Sequence, residues 1–183
     1  GNGASICLSP DPSARSDDVT SKDQPYSRWR DVVLSLRLFA VDRGGLGGIV
    51  VRSRPSEQRD QLCSLLEELL LGTPFVRLPL RVTEDRLLGG LSLAESLRTG
   101  RACFETGLLA RAHGGVIVAS MAERLEPNVT SHLAAALDRG EISVERDGFS
   151  AAVPCRIGVL ALDESDPGED RLPIALQDRL AFE

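Results

Sequence analysis

Apolar and polar positions alternate along this chain in two distinct rhythms. Trp29, Val32, Val33, Leu36, Phe39 and Ala40 recur at three- and four-residue steps, which predicts a helix with one apolar face. Gly44-Gly45-Leu46-Gly47-Gly48 ends that helix and leads into Ile49-Val50-Val51, three β-branched residues that read as a buried strand. After a polar loop from Arg52 to Ser56, Leu62, Leu65, Leu66, Leu69 and Leu70 form the stripe of a second helix, closed near Gly72. Pro74 to Leu78 is a predicted strand, and Ser92 with Glu95 forms a capping box for a short helix ending at Gly100. Gly107 to Ala112 is a helical turn or two, followed by the buried strand Val116-Ile117-Val118-Ala119.

Pro127 opens a further helix whose inner face is Val129, Leu133, Ala136 and Leu137, with Gly140 at its end. Glu141 to Glu145 and Phe149 to Val153 flank Arg146-Asp147-Gly148, and the Asp-Gly pair signals a hairpin. Ile157 to Leu162 is a fourth buried strand, trailed by an acidic loop from Asp163 to Asp170 and a last helix from Leu172 to about Leu180. Apolar strands that alternate with helices predict the α/β class, with a mostly parallel sheet covered on both faces and the hairpin as an embellishment.

Residues 1–25 show no sustained apolar period and are rich in Ser, Asp, Pro and Gly, so a flexible tail is expected there, with the α/β core over 26–183. The 183 residues suit one ordinary domain. No uncharged run exceeds 11 residues, short of the roughly 20 that a bilayer helix needs, so no membrane span is expected. The basic residues are 20 arginines and a single lysine, Lys22, and the net charge of −6 argues against a protein built mainly to coat nucleic acid. Cys7, Cys63, Cys103 and Cys155 lie too far apart for a zinc site, and His113 and His132 fall in different elements, so no metal site is expected. Reduced thiols in a cytoplasm are the plain reading of that cysteine usage, with Cys63, Cys103 and Cys155 as buried small hydrophobes.

The loop after Ile49-Val50-Val51 is where an α/β nucleotide-binding fold carries its phosphate loop. Such a loop needs glycines, so that backbone N–H groups can close around phosphate, then Lys for charge and Ser or Thr for Mg²⁺. Ser53 to Asp60 read SRPSEQRD: no glycine, Pro55 in place of an N–H donor, and Asp60 in place of the hydroxyl. A second requirement is an acidic pair at the end of a later strand. Ser120-Met121 follow Ala119 and supply neither carboxylate.

Further blocks carry a resemblance. They are Ala40-Val41-Asp42 with Leu46-Gly47-Gly48, Leu78 to Arg86 (LPLRVTEDR), Gly89-Gly90-Leu91-Ser92-Leu93, Gly107 to Gly115 (GLLARAHGG), Val144 to Gly148 (VERDG) and Leu176 to Leu180 (LQDRL). In this order, from about Trp29 to Phe182, the sequence resembles the AAA+ domain of the D subunit of magnesium chelatase, the nitrogen–metal bond-forming ligase of chlorophyll and bacteriochlorophyll synthesis. The related I subunit carries GxxxxGKS and an Asp-Glu pair. Here Gln58-Arg59-Asp60 stands for Gly-Lys-Ser and Ser120-Met121 for Asp-Glu, with Glu164 in place of the Asn that orients water.

The resemblance implies a subunit that does not hydrolyse ATP, binds no cofactor tightly in cis and assembles in a ring with the ATPase I subunit. ATP and Mg²⁺ would sit at the partner's site, and the porphyrin on a third, large subunit. It implies a cytoplasmic protein, or a stromal one in a phototrophic eukaryote, and a longer chain bearing a helical lid, an acidic linker and an integrin-type domain. Arg179, within Leu176-Gln177-Asp178-Arg179, matches the motif that supplies an arginine finger. Such a finger is worth roughly 10³–10⁵ in rate where it completes a neighbour's site.

Plainer readings stand beside these. Arg179 would serve equally as a helix-end cation or as a partner of Asp178 or Glu183. Arg59 reads as a solvated helix face or a phosphate contact. Glu84-Asp85-Arg86 read as a helix start capped by Thr83 or as a ring contact. Asp163, Glu164, Asp166, Glu169 and Asp170 read as a solvated loop or a weak Mg²⁺ contact. The stretch from Arg101 to Glu105 and the hairpin tip are turns or partner contacts. An alternative identity is an AAA+ chaperone or NTPase of the MoxR branch, and a third is a passive scaffold.

Overall fold

The computed structural model describes residues 24–101, 103–146, 149–166 and 172–183. Most of the expected tail, the hairpin tip Asp147-Gly148 and part of the acidic loop lie outside these residues. Four strands form one parallel sheet: β1 (Gly48–Arg52), β2 (Phe75–Leu78), β5 (Val116–Ser120) and β8 (Gly158–Asp163), in the order β1-β8-β5-β2. In register, Ile49 pairs with Leu160 and Ile117 with Val159. Parallel strands inside a sheet are dry on both faces, and all six residues of β8 are buried.

The pleat sends alternate residues to two cores. Ile49, Val116, Val118, Leu160 and Leu162 join Leu36 and Phe39 of α1 (Gln24–Val41) and Leu62, Leu66 and Leu70 on and just after α3 (Glu57–Leu69). Val50, Ile117, Ala119, Val159 and Ala161 face the opposite core. That second core is covered by α4 (Glu84–Leu88), α6 (Leu108–Arg111), α7 (Pro127–Arg139) and α8 (Ile174–Gln177). The hairpin β6 (Glu141–Arg146) and β7 (Phe149–Pro154) adds Ile142 and Val144 to it. The predicted α/β class, parallel sheet and hairpin are all present.

Several expectations are corrected. Trp29 is 41% exposed, because α1 packs through its later turns, at Leu36 and Phe39. Leu69 is likewise exposed at the rim of the α3 stripe. A short helix, α2 (Arg43–Leu46), separates α1 from β1 and is capped by Asp42, whose carboxylate accepts the Gly45 N–H at 2.8 Å. The capping box does not form at α5 (Leu93–Thr99). The Ser92 N–H that Glu95 would accept is donated to the Cys103 carbonyl at 2.8 Å, and Glu95 turns to Arg98. That bond extends an unpredicted antiparallel pair, β3 (Gly89–Leu91) and β4 (Phe104–Thr106), which flanks α5 and is too short to show a period. Of the three expected buried cysteines only Cys155 is fully buried, Cys63 and Cys103 being half-buried.

The last helix is also shorter than predicted. After α8 the chain turns and runs along the free edge of β1, where the Val50 N–H donates to the Phe182 carbonyl at 2.8 Å and the Ala181 N–H to Leu46 and Gly48 carbonyls at 3.1 Å. Edge pairing of Ala181 and Phe182 with β1 draws the chain away from the helix axis and ends the helix before Leu180. Gly47 makes this approach feasible. It sits at φ 68°, and a Cβ there would overlap the Arg179 carbonyl oxygen.

Gly47→Ala should therefore lower unfolding free energy by about 1–3 kcal/mol in a urea titration. Gly44→Ala, at a site open to solvent on all sides of the new methyl, should shift it by less than about 0.5 kcal/mol. Equal effects would mean that the Arg179 segment does not need the glycine.

Candidate functional site

The loops leaving β1 and β8 meet at the carboxyl end of the sheet, where open α/β folds place their ligands. The Ser53 N–H donates to the Asp163 carbonyl at 3.0 Å and ties the two loops together. Ser56 caps α3, its hydroxyl oxygen accepting the Arg59 N–H at 3.3 Å, and Glu57 and Asp60 lie in the first turn. Cap and carboxylates thus satisfy the helix N-terminus from within the chain.

Arg59 does not lie on a solvated helix face. Its side chain is 12% exposed, and its Nη1 donates to Glu164 Oε1 at 2.6 Å and to the Ser53 carbonyl at 3.4 Å. Arg59 on α3 and Glu164 after β8, far apart in sequence, are thus joined as one ion pair. Asp163 is not a solvated loop residue either. It closes β8, 1% exposed, and accepts the Ser165 hydroxyl at 2.6 Å, the Ser165 N–H at 2.9 Å and Arg52 Nε at 3.3 Å. Burial alone would raise its pKa, but the Ser165 hydrogen bonds and the Arg52 charge outweigh it and hold the carboxyl below its ordinary value. Arg54 pairs with Asp166, and Arg52 also with Glu183. Gln58 and Asp60 are exposed on α3 and join none of these pairs among the described contacts.

Ser120 ends β5, and Met121 follows in the left-handed region at φ 50°, ψ 49°. A side chain there costs about 1–2 kcal/mol of strain, and Met121 is the one non-glycine residue with positive φ among those described. Glu123, two residues on, is a carboxylate that sequence reasoning missed. Its side chain is 6% exposed and accepts the Glu164 N–H at 3.1 Å. The first charged residue after a wholly apolar strand was the available signal.

Arg179 lies elsewhere, in the turn after α8 on the α7 side of the molecule. Neither Asp178 nor Glu183 pairs with it. Its Nε and Nη2 donate to the two oxygens of Asp138 at 2.7 and 2.6 Å, and its Nη1 to the Ala175 carbonyl at 2.7 Å. Thr83 caps α4 by position but makes no side-chain hydrogen bond, and Glu84 lies 3.7 Å from His132. The other histidine, His113, accepts the Arg156 N–H through Nδ1 at 3.1 Å. No group of three metal-ligating side chains occurs among the described residues, and no helix among them is long and apolar enough to cross a membrane.

The chain is 37% identical over 149 residues to the 67 kDa subunit of magnesium chelatase from Chlorobaculum tepidum, an alignment covering 81% of this chain and 24% of that protein. Against the 60 kDa subunit from Cereibacter sphaeroides it is 35% identical over 158 residues, covering 86% and 25%. The chain is a homologue of magnesium-chelatase subunits. It spans about a quarter of the length of these two relatives. The 38 kDa magnesium-chelatase subunit of Cereibacter sphaeroides matches over 99 residues at 39% identity, covering 54% of this chain and 30% of that protein. A chain from a cryo-EM reconstruction of the complex between subunits BchI and BchD of magnesium chelatase superposes with a TM-score of 0.65 at 29% identity, covering 82% of this chain and 56% of that one. The magnesium-chelatase homologue thus has the AAA+ fold. No family model matches the chain.

Two outcomes check this geometry. Glu164→Ala should leave a largely buried guanidinium unpaired and lower unfolding free energy by about 1–3 kcal/mol. A loss under about 0.5 kcal/mol would show solvent screening the pair instead. Because the folded Asp163 carboxyl binds its proton less readily than the unfolded one, its stabilising effect is complete well above about pH 3.9 and lost as pH falls through the folded value below that. Unfolding measured from pH 6 downward should be less acid-sensitive in Asp163→Asn than in the parent chain.

Proposed function

We propose that this chain is the AAA+ module of a D-type magnesium-chelatase subunit, one that leaves ATP hydrolysis to an I-type partner. The observation that carries the proposal is the Arg59–Glu164 ion pair at the carboxyl end of the sheet. A Mg²⁺-triphosphate needs free backbone N–H groups, a free cation and a metal-binding hydroxyl. The residues present do not fit it: the helix N-terminus is capped by Ser56, the cation is bound to Glu164, and Asp60 and Glu123 add negative charge. Ser120 and Met121 offer no carboxylate to polarise water. The longer alignments to the 60 and 67 kDa subunits than to the 38 kDa subunit support the D-type assignment.

In this reading the chain acts through neighbours. It joins a ring with the ATPase subunit, where Arg179 reaches the γ-phosphate of ATP bound with Mg²⁺ to the partner and stabilises charge in the transition state. Hydrolysis there is coupled to Mg²⁺ insertion into protoporphyrin IX, held by a large third subunit, and the whole assembly works in the cytoplasm or stroma. Arg179 is suited to the task because it stands outside the ion-pair network that fills its own site.

Titration with a fluorescent ATP analogue and Mg²⁺ should show no saturable binding to this chain. Tight, Mg²⁺-dependent binding would favour a MoxR-type NTPase instead. In the reconstituted complex, Arg179→Ala should drop ATP turnover toward that of the partner alone while assembly survives. Unchanged turnover in an intact assembly would leave a passive scaffold.

A further inference from the structure

We infer that Asp138 is the positioning residue for Arg179, holding its guanidinium ready for an anion supplied from outside the chain; the inference rests on the arginine-finger reading above. Asp138 sits in the last turn of α7, at the negative end of the helix dipole, where a carboxylate is locally unfavourable. No helix-forming preference accounts for it there. What Asp138 gains is a two-pronged bond to a residue 41 positions away, with both of its oxygens engaged at 2.6 and 2.7 Å.

Arg179 is held at its other end as well. Its main chain lies against Gly47, and two residues on the Ala181 N–H is bonded to the Leu46 and Gly48 carbonyls at the start of β1. Side chain and backbone are thus anchored to different elements, α7 and β1, which removes most of the rotamer freedom a long cation would otherwise lose on engaging a ligand.

The way the carboxylate binds decides between holding and blocking. Asp138 takes Nε and one N–H of Nη2, and Ala175 takes one N–H of Nη1. Three of the five guanidinium donors are used, which leaves one N–H on each terminal nitrogen. Those two N–H groups can donate to phosphate oxygens without displacing Asp138. The Arg179 hydrogen bonds also keep the Asp138 carboxyl below its ordinary pKa, so the fork is intact at neutral pH.

The test uses the full-length subunit in a complex reconstituted with its ATPase partner, reading kcat and KM for ATP. Asp138→Ala should cut kcat about ten- to hundredfold, with KM changed less than about twofold, since a misplaced group costs rate rather than ground-state binding. Asp138→Asn, similar in size and keeping one acceptor oxygen, should fall between Asp138→Ala and the parent, and it decides the matter if Asp138→Ala fails to assemble. Combined with Arg179→Ala, Asp138→Ala should add no further loss. If Asp138→Ala or Asp138→Asn turns over at the parent rate or faster while Arg179→Ala is impaired, Asp138 is a surface partner or a brake. The inference then fails, and the arginine-finger reading stands. Should Arg179→Ala in an intact complex match the parent, that reading fails and takes the inference with it.

Discussion

Burial of β8 on both faces and along both edges is the constraint on which the rest of this molecule depends. Its six residues pair with β1 on one side and β5 on the other, and every one is inaccessible to water. A strand so enclosed cannot slide by one residue without exchanging its two apolar faces, Val159 and Ala161 against Leu160 and Leu162. The register it enforces sets where β1, β5 and β8 end, and so which side chains meet at the carboxyl edge.

What meets there is charge. Arg52 ends β1, Arg54 lies in the loop after it and Arg59 in the first turn of α3, while Asp163 ends β8 and Glu164 and Asp166 follow it. Ion pairs with little solvent are costly to desolvate and return that cost only when their remaining hydrogen bonds are satisfied. Asp163 illustrates the condition, with Ser165 and Arg52 serving the same carboxylate. The carboxyl edge of the sheet is thus laced by the chain's own side chains. The left-handed Met121 is strain retained in the backbone turn that follows β5.

Arg179 belongs to a different economy of contacts. It is more exposed than Arg59, and its bonds run to Asp138 on α7 and to the end of α8 instead of across the sheet. The same residue's carbonyl leans on Gly47, so the glycine between α2 and β1 and the turn that carries Arg179 are parts of one junction. Two arginines that look alike along the chain are thus put to opposite uses, one neutralised within the fold and one held at its surface.

The fold class, the four sheet strands, the three long helices and the hairpin β6–β7 were legible in the residues themselves: the helices from a 3.6 period, the strands from short apolar runs and the hairpin from its Asp-Gly pair. That Ser53 to Asp60 hold no glycine or lysine, and Ser120-Met121 no carboxylate, was equally legible, since it is a matter of residue identity. The short antiparallel pair β3–β4, by contrast, has no period, and the Ser92 N–H is taken by a carbonyl eleven residues away. The shortened α8 was decided by the open edge of β1, which competes for the same backbone. Arg59 with Glu164, 105 residues apart, and Arg179 with Asp138 could be paired only by the tertiary structure. Local sequence determines which way a backbone segment prefers to bend, but which charges share a site follows from strand order and helix docking, and those are properties of the whole chain.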